Sequence, residues 1–195
     1  MALQRIFDII VGTLLSQNMA LIYILGMCSL IAISTSVKNA LNMGIAVTIV
    51  TTVTAVINWP IYQLLKLSNT THLSLLVFII TIAATVQIIE MMIEKYLPKL
   101  YQSFGIFLPL ITVNCIILAV SLFFVNRDYN FVETAAFSFG SGLGWLLAIV
   151  MLAGVRQKVN RVSNIPKGLR GRAIAFVILG ILALAFIGFT GIGSI

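Results

Sequence analysis

Of the 195 residues, 61% are hydrophobic and 9% charged, and the mean hydropathy is +1.13. A soluble domain carries roughly 25% charged residues, so the polar surface here is too small to coat a water-facing globule, and the chain reads as an all-α integral membrane protein. The net charge of +7 does not point to nucleic acid, because the basic residues collect in one short loop between apolar spans, as they do in cytoplasmic loops.

At about 20 apolar residues per membrane helix, the chain has room for about six spans and almost no extramembrane domain. It is read as one transmembrane domain over 1–195, with halves of about 1–97 and 98–195. Span one covers 6–33. Arg5 precedes it, but no small-residue cleavage site follows, so no signal peptide is expected. Asp8 and the pair Gln17-Asn18 interrupt this span, which predicts a broken helix, since polarity at membrane depth is tolerated only where protein or a cavity surrounds it. Span two covers 40–57 and is expected to end at Asn58-Trp59-Pro60, with Trp59 anchored at the interface. A polar loop, 67–72, follows.

Span three covers 73–93 and carries Glu90 and Glu94 near its end. Carboxylates inside a span suggest an ion path, but these lie close enough to the interface to be solvated or paired with Lys95. Span four, 101–125, contains Gly105-Ile-Phe-Leu-Pro-Leu-Ile-Thr-Val-Asn-Cys115. Pro109 there predicts a second break, and Gly26 is placed to loosen span one in the same way. Arg127 and Asp128 lie in a short loop, solvated or paired with each other. Span five, 131–155, opens with Gly140-Ser-Gly-Leu-Gly144, small residues that let helices approach closely. The loop 156–172 is the most basic, and span six, 173–192, has no charge.

Loop charge sets an orientation. The loop between spans five and six holds Arg156, Lys158, Arg161, Lys167, Arg170 and Arg172. The loops after spans one and three add Lys38, Lys95 and Lys99, against Arg5, Lys66 and Arg127 on the other side. Loop 156–172 is therefore expected in the cytoplasm and both termini outside.

A weak internal repeat is visible. Gln17-Asn-Met-Ala-Leu precedes Cys28 much as Gln102-Ser-Phe-Gly-Ile precedes Cys115, and a serine follows each cysteine after six residues, Ser34 and Ser121. Glycine-bearing segments, at Gly44 and at Gly140-Ser-Gly142, open the next spans. Three spans per half make this an inverted repeat, an architecture that places sites near the midplane between broken helices. The two cysteines are either small buried hydrophobes or ligands. An iron–sulfur centre generally needs four cysteines and a structural zinc four ligands, and His72 lies in an outer loop. As ligands, then, they need two more from a second subunit.

Several segments together carry a family resemblance. They are Asn18-Met-Ala-Leu, Leu25-Gly-Met-Cys28, the stretch from Gly105 to Cys115, Arg127-Asp-Tyr129, Gly140-Ser-Gly-Leu-Gly-Trp145, Ala153-Gly-Val-Arg156 and Gly168-Leu-Arg-Gly171. In this order they resemble the family of membrane subunits shared by the bacterial sodium-translocating NADH:quinone reductases and the Rnf electron-transport complexes. The likeness covers nearly the whole chain and is weakest at 67–74. The segments 18–28 and 139–149 favour the branch known in the reductase as the E subunit.

The resemblance implies six spans in two inverted three-helix repeats with spans one and four broken. It implies a bacterial inner membrane location and a six-subunit complex. In that complex a paralogous membrane protein, the D subunit, pairs with this one, and each gives two cysteines to one [2Fe-2S] cluster. The residues carried over are Cys28 and Cys115, as iron ligands, with no flavin, no NADH site and no complete active site on this chain. The cluster would relay electrons from NADH towards ubiquinone in a redox-driven sodium pump. A paralogous Rnf subunit, a small inverted-repeat transporter and a purely structural membrane subunit are the competing readings.

A reporter fused to the C-terminus is expected to behave as periplasmic, being active as an exported phosphatase and inactive as a cytoplasmic fluorophore; the opposite pattern would reverse the assigned orientation.

Overall fold

Helices built almost entirely of apolar and small residues have to find their specificity in close backbone contact. The computed structural model describes residues 2–68, 71–96, 114–162 and 171–190. Among these, all regular structure is helical: α1 (Ala2–Leu14), α2 (Met27–Ile33), α3 (Val37–Leu67), a 3-10 turn (Thr71–Leu73), α4 (Ser74–Tyr96), α5 (Cys115–Asn126), α6 (Phe131–Val162) and α7 (Arg172–Thr190). Three stretches, Val37–Leu67, Thr71–Lys95 and Phe131–Val162, are long and apolar enough to cross a membrane. The boundary expected between halves at 97/98, the break expected at Pro109 and the stretch 105–113 lie outside the described residues.

The centre of the fold is the crossing of α3 and α6. At 1.5 Å per residue these helices of 31 and 32 residues are about 45 Å long. They touch through glycines on both sides. A methyl group at Gly44 would lie 2.7 Å from Leu146 Cγ, and one at Gly142 would lie 2.8 Å from Thr48 Cα. The contact is reciprocal, and the partner number falls as the α3 number rises, so the two helices run antiparallel here. Gly140 and Gly144 sit on another face of α6 and admit Ile10 and Thr13 of α1 at similar range. The glycine series thus serves two neighbours at once, as small residues do where helix backbones meet in membranes. Trp145, Ile149 and Leu152 are wholly buried beside it.

Span one is broken, as Gln17-Asn18 predicts. Helix α1 stops at Leu14, and the chain resumes helical form only at Met27. Asn18, fully buried, bridges the gap. Its amide nitrogen donates to Leu14 O at 3.0 Å and to Gly144 O at 2.9 Å, and its side-chain oxygen accepts from Ala20 N at 3.0 Å. Backbone groups freed by the break are thereby paired inside the protein, which non-helical chain at membrane depth requires.

Three expectations are corrected. Asn58-Trp59-Pro60 does not end α3, which runs through Pro60 to Leu67. Pro60 removes one helical hydrogen bond, but its neighbours are tied down on three sides. Asn58 donates to Ser121 Oγ at 2.8 Å and accepts from Thr81 Oγ1 at 2.7 Å, while Trp59 Nε1 donates to Tyr129 O at 3.1 Å. Nor do Arg127 and Asp128 pair with each other. Asp128 faces Lys66 at 3.8 Å, and Arg127 lies over the rings of Phe123 and Phe137 and donates to Tyr129 Oη. Finally, the basic loop does not begin at 156. Helix α6 continues to Val162, and Arg156 is a buried helical residue.

Gly142→Ile is expected to destabilise the fold by about 1–3 kcal/mol through overpacking, seen as a lower melting temperature of the detergent-solubilised protein. Gly154→Ile on the same helix, where nothing lies within 4 Å, leaves it nearly unchanged. Equal effects of the two would remove the crossing from the centre of the fold.

Candidate functional site

Each cysteine stands at the beginning of a helix. Cys115 is the first residue of α5, and Cys28 is the second of α2. Local chemistry sets these starts. Asn114 is the N-cap of α5, its side-chain oxygen accepting from Ile116 N at 3.3 Å, the usual service of asparagine at this position. Gly26 is the N-cap of α2 and adopts a left-handed conformation with φ 78°, which is free of steric cost only for glycine. Ser29 Oγ donates to Gly26 O at 3.0 Å and closes that first turn.

The two helix starts abut. A methyl group at Gly26 would lie 3.0 Å from Asn114 Oδ1 and 2.9 Å from Trp145 Nε1. Gly26 is therefore required twice, for its φ and for the space that lets the α5 cap and the Trp145 ring approach. Asn114 and Trp145 are buried, and the Nδ2 and Nε1 atoms have no hydrogen-bond partner among the described residues. Against this buried surrounding, the side chains of Cys28 and Cys115 are both free and both exposed. The structure thus brings together the neighbourhoods of the two residues singled out in the sequence.

The middle of α5 and the far end of α2 are gripped by polar side chains from the long helices. Ser121 of α5 accepts from Asn58 of α3. Ser34, the C-cap of α2, accepts from Arg156 Nη1 at 2.9 Å; the same nitrogen donates to Ile31 O at 2.9 Å, and Nη2 donates to Gly171 O at 3.0 Å. The repeat singled out both serines, but not their partners. Sequence reading took Arg156 for a loop charge. The signal that could have found it is helical spacing, since Trp145, Ile149, Leu152 and Arg156 continue one buried stripe.

Two thiols would supply half of the donors that a four-thiolate centre takes. Among the described residues no three of His, Cys, Asp and Glu gather into a metal site. His72 lies exposed in the 3-10 turn, and Glu90 and Glu94 lie half-buried and exposed near the end of α4, outside this arrangement.

Comparison with known proteins agrees in extent with this architecture. A family described as Rnf-Nqr subunit, membrane protein, matches residues 6–193. Proteins from Maridesulfovibrio salexigens and Marinobacter nauticus are each 44% identical over 201 residues, covering 97% of this chain and 99% of theirs. One from Aeromonas hydrophila is 45% identical over 197 residues with the same coverage. All three are named as the E subunit of a Na(+)-translocating NADH-quinone reductase. Matched by the family model over residues 6–193 and by these relatives at 44–45% identity, the chain belongs to the Rnf-Nqr family of membrane subunits.

Proposed function

We propose that this chain is the E subunit of a sodium-translocating NADH:quinone reductase in the bacterial inner membrane, one component of an oxidoreductase rather than an enzyme by itself. In this reading Cys28 and Cys115 supply two of the four ligands of a [2Fe-2S] cluster, and the paralogous D subunit supplies the others within a six-subunit complex. The observation that carries it is the pair of exposed thiols on abutting helix starts whose surroundings are buried. When bound, such a cluster supplies one-electron relay chemistry, here between NADH-derived electrons and the quinone side.

The chain's own residues have definable tasks. The two thiolates hold iron, which neutralises charge that free thiolates could not carry in an apolar medium. Gly26 and Asn114 keep the two helix starts in contact. Asn18 pairs the open backbone of the break, so that Cys28 can be presented from a helix that begins inside the fold. Met19, Ala20, Leu21, Ile116 and Ile117, all buried, keep water from the thiols' supports.

The inverted-repeat reading has support in the contacts. One interval of numbering separates Gly44 from Gly142, Thr48 from Leu146 and Asn58 from Arg156, and each of these residues makes the contact its counterpart makes in the other half. A twofold axis that exchanges the halves produces such reciprocity. The antiparallel crossing of α3 and α6 supports halves that are inverted with respect to each other, as six spans in two three-helix units would require.

In the assembled complex, Cys28→Ser or Cys115→Ser is expected to abolish the [2Fe-2S] EPR signal and quinone reduction, and the chain purified alone to bind little iron. Gly26→Ala, which keeps both thiols but separates their helix starts, is expected to lower cluster occupancy. Full signal and unchanged electron transfer in either serine variant would sink the reading.

A further inference from the structure

Arg156 is the most buried cation in the described chain, with 6% of its surface exposed. Its partners are all neutral: the carbonyls of Ile31 and Gly171 and the hydroxyl of Ser34. Its Nε has no partner among the described residues. The chain has five carboxylate side chains, and none lies within ion-pair distance of it; Glu133 and Asp128 face Arg5 and Lys66 instead. A buried charge without a counter-ion is costly, and here it is offset by the Gly171 carbonyl, the Ser34 hydroxyl and the carbonyl end of α2, where a cation is favoured by the helix dipole.

The opposite half offers an internal comparison. Asn58 stands where Arg156 stands and grips Ser121 of α5 with a neutral amide. Tethering a cysteine-bearing helix by its serine therefore does not require a charge. What Arg156 adds over Asn58 is a fixed positive charge, on one half only. Helix α2 has seven residues, about 10 Å at 1.5 Å each, and Cys28 stands at its other end. Over that distance, in a water-poor interior, a charge acts with little screening.

We infer that Arg156 is a positioning residue for the redox group held at Cys28: it fixes α2 from its far end and makes the electron-rich state of that group more favourable. This rests on the proposed reading of Cys28 and Cys115 as cluster ligands. The charge reaches the thiol along a short helix whose end is clamped to α6 by Ile31 and Ser34 and to the start of α7 by Gly171. A positive charge stabilises the reduced, more negative state over the oxidised one. Removing it therefore makes the cluster harder to reduce.

The test is an EPR-monitored redox titration of the assembled complex, with iron content measured in parallel, for wild type, Arg156→Gln, Arg156→Lys and Cys28→Ser. Arg156→Gln is expected to shift the midpoint to more negative potential with iron retained, and Arg156→Lys, which keeps the charge and loses the planar fork, to recover most of the shift. Full iron and a wild-type midpoint in both Arg156 variants would overturn the proposal. Should Arg156→Gln carry no cluster, Arg156→Lys decides: a cluster at the wild-type potential supports a role for the charge, and no cluster reduces Arg156 to a structural strut. A wild-type complex without a [2Fe-2S] signal, or a signal that survives Cys28→Ser, would instead defeat the underlying ligand reading.

Discussion

The antiparallel crossing of α3 and α6 is the constraint on which the rest depends. Apolar helices in lipid gain little from hiding apolar surface, because the surrounding medium is apolar too. They are held by contact that only small residues permit, and Gly44 and Gly142 bring the two longest helices to backbone range. Everything at the candidate site is referred to that crossing. Asn58 and Arg156 lie further along the same two helices and reach outwards to the middle of α5 and the end of α2. Trp145, next to the glycines, backs the joint between the two cysteine-bearing helices. A shift of α3 against α6 would move both grips and the backing at once.

Polar groups inside this membrane protein are few, and nearly all have defined work. The threonines of α3 return their hydroxyls to carbonyls of the preceding turn, as Thr48, Thr51 and Thr54 do. Asn18 closes the break in span one, and Asn58 joins three helices. Asn114 Nδ2 and Trp145 Nε1, two buried donors left over among the described residues, meet at Gly26, and Arg156 Nε lies at the other end of α2. Unsatisfied groups of this kind are expensive at low dielectric. Thr134 Oγ1 and Ser141 Oγ of α6 are unpartnered as well, so such groups occur both beside Cys28 and along the central packing helix.

Much of this was legible in the sequence, and the misses have physical causes. The break in span one was readable because Gln17-Asn18 puts amides where a smooth helix would need none. The glycine series was readable because small residues in an apolar span have one main use. Pro60 misled because its local effect on the backbone is real, while the tethers that override it, Ser121, Thr81 and Tyr129, are distant in sequence. Arg156 misled for the opposite reason. Loop-charge counting treats every arginine near a span end as solvated, and a guanidinium bound to carbonyls of Ile31 in α2 and Gly171 just before α7 looks the same in one dimension. Asp128 found Lys66 instead of its neighbour because residue 128 adopts a left-handed turn with φ 49°.

For the proposed cluster, the exposure of the two thiols favours a shared site over a self-sufficient one. A cysteine used as a small hydrophobe is buried, and that is the commonest fate of the residue. Here both are exposed while their helix caps, the flanking Ser29 and Ile116, and Trp145 are buried. The fold has therefore placed its only two thiols at an outer face and spent its interior on fixing where they stand. In the proposed reading these two thiols would be two of the four protein ligands that such a cluster takes. On that reading a second surface would bring the other half, and the long-range grips from α3 and α6 would hold the first half in place for it.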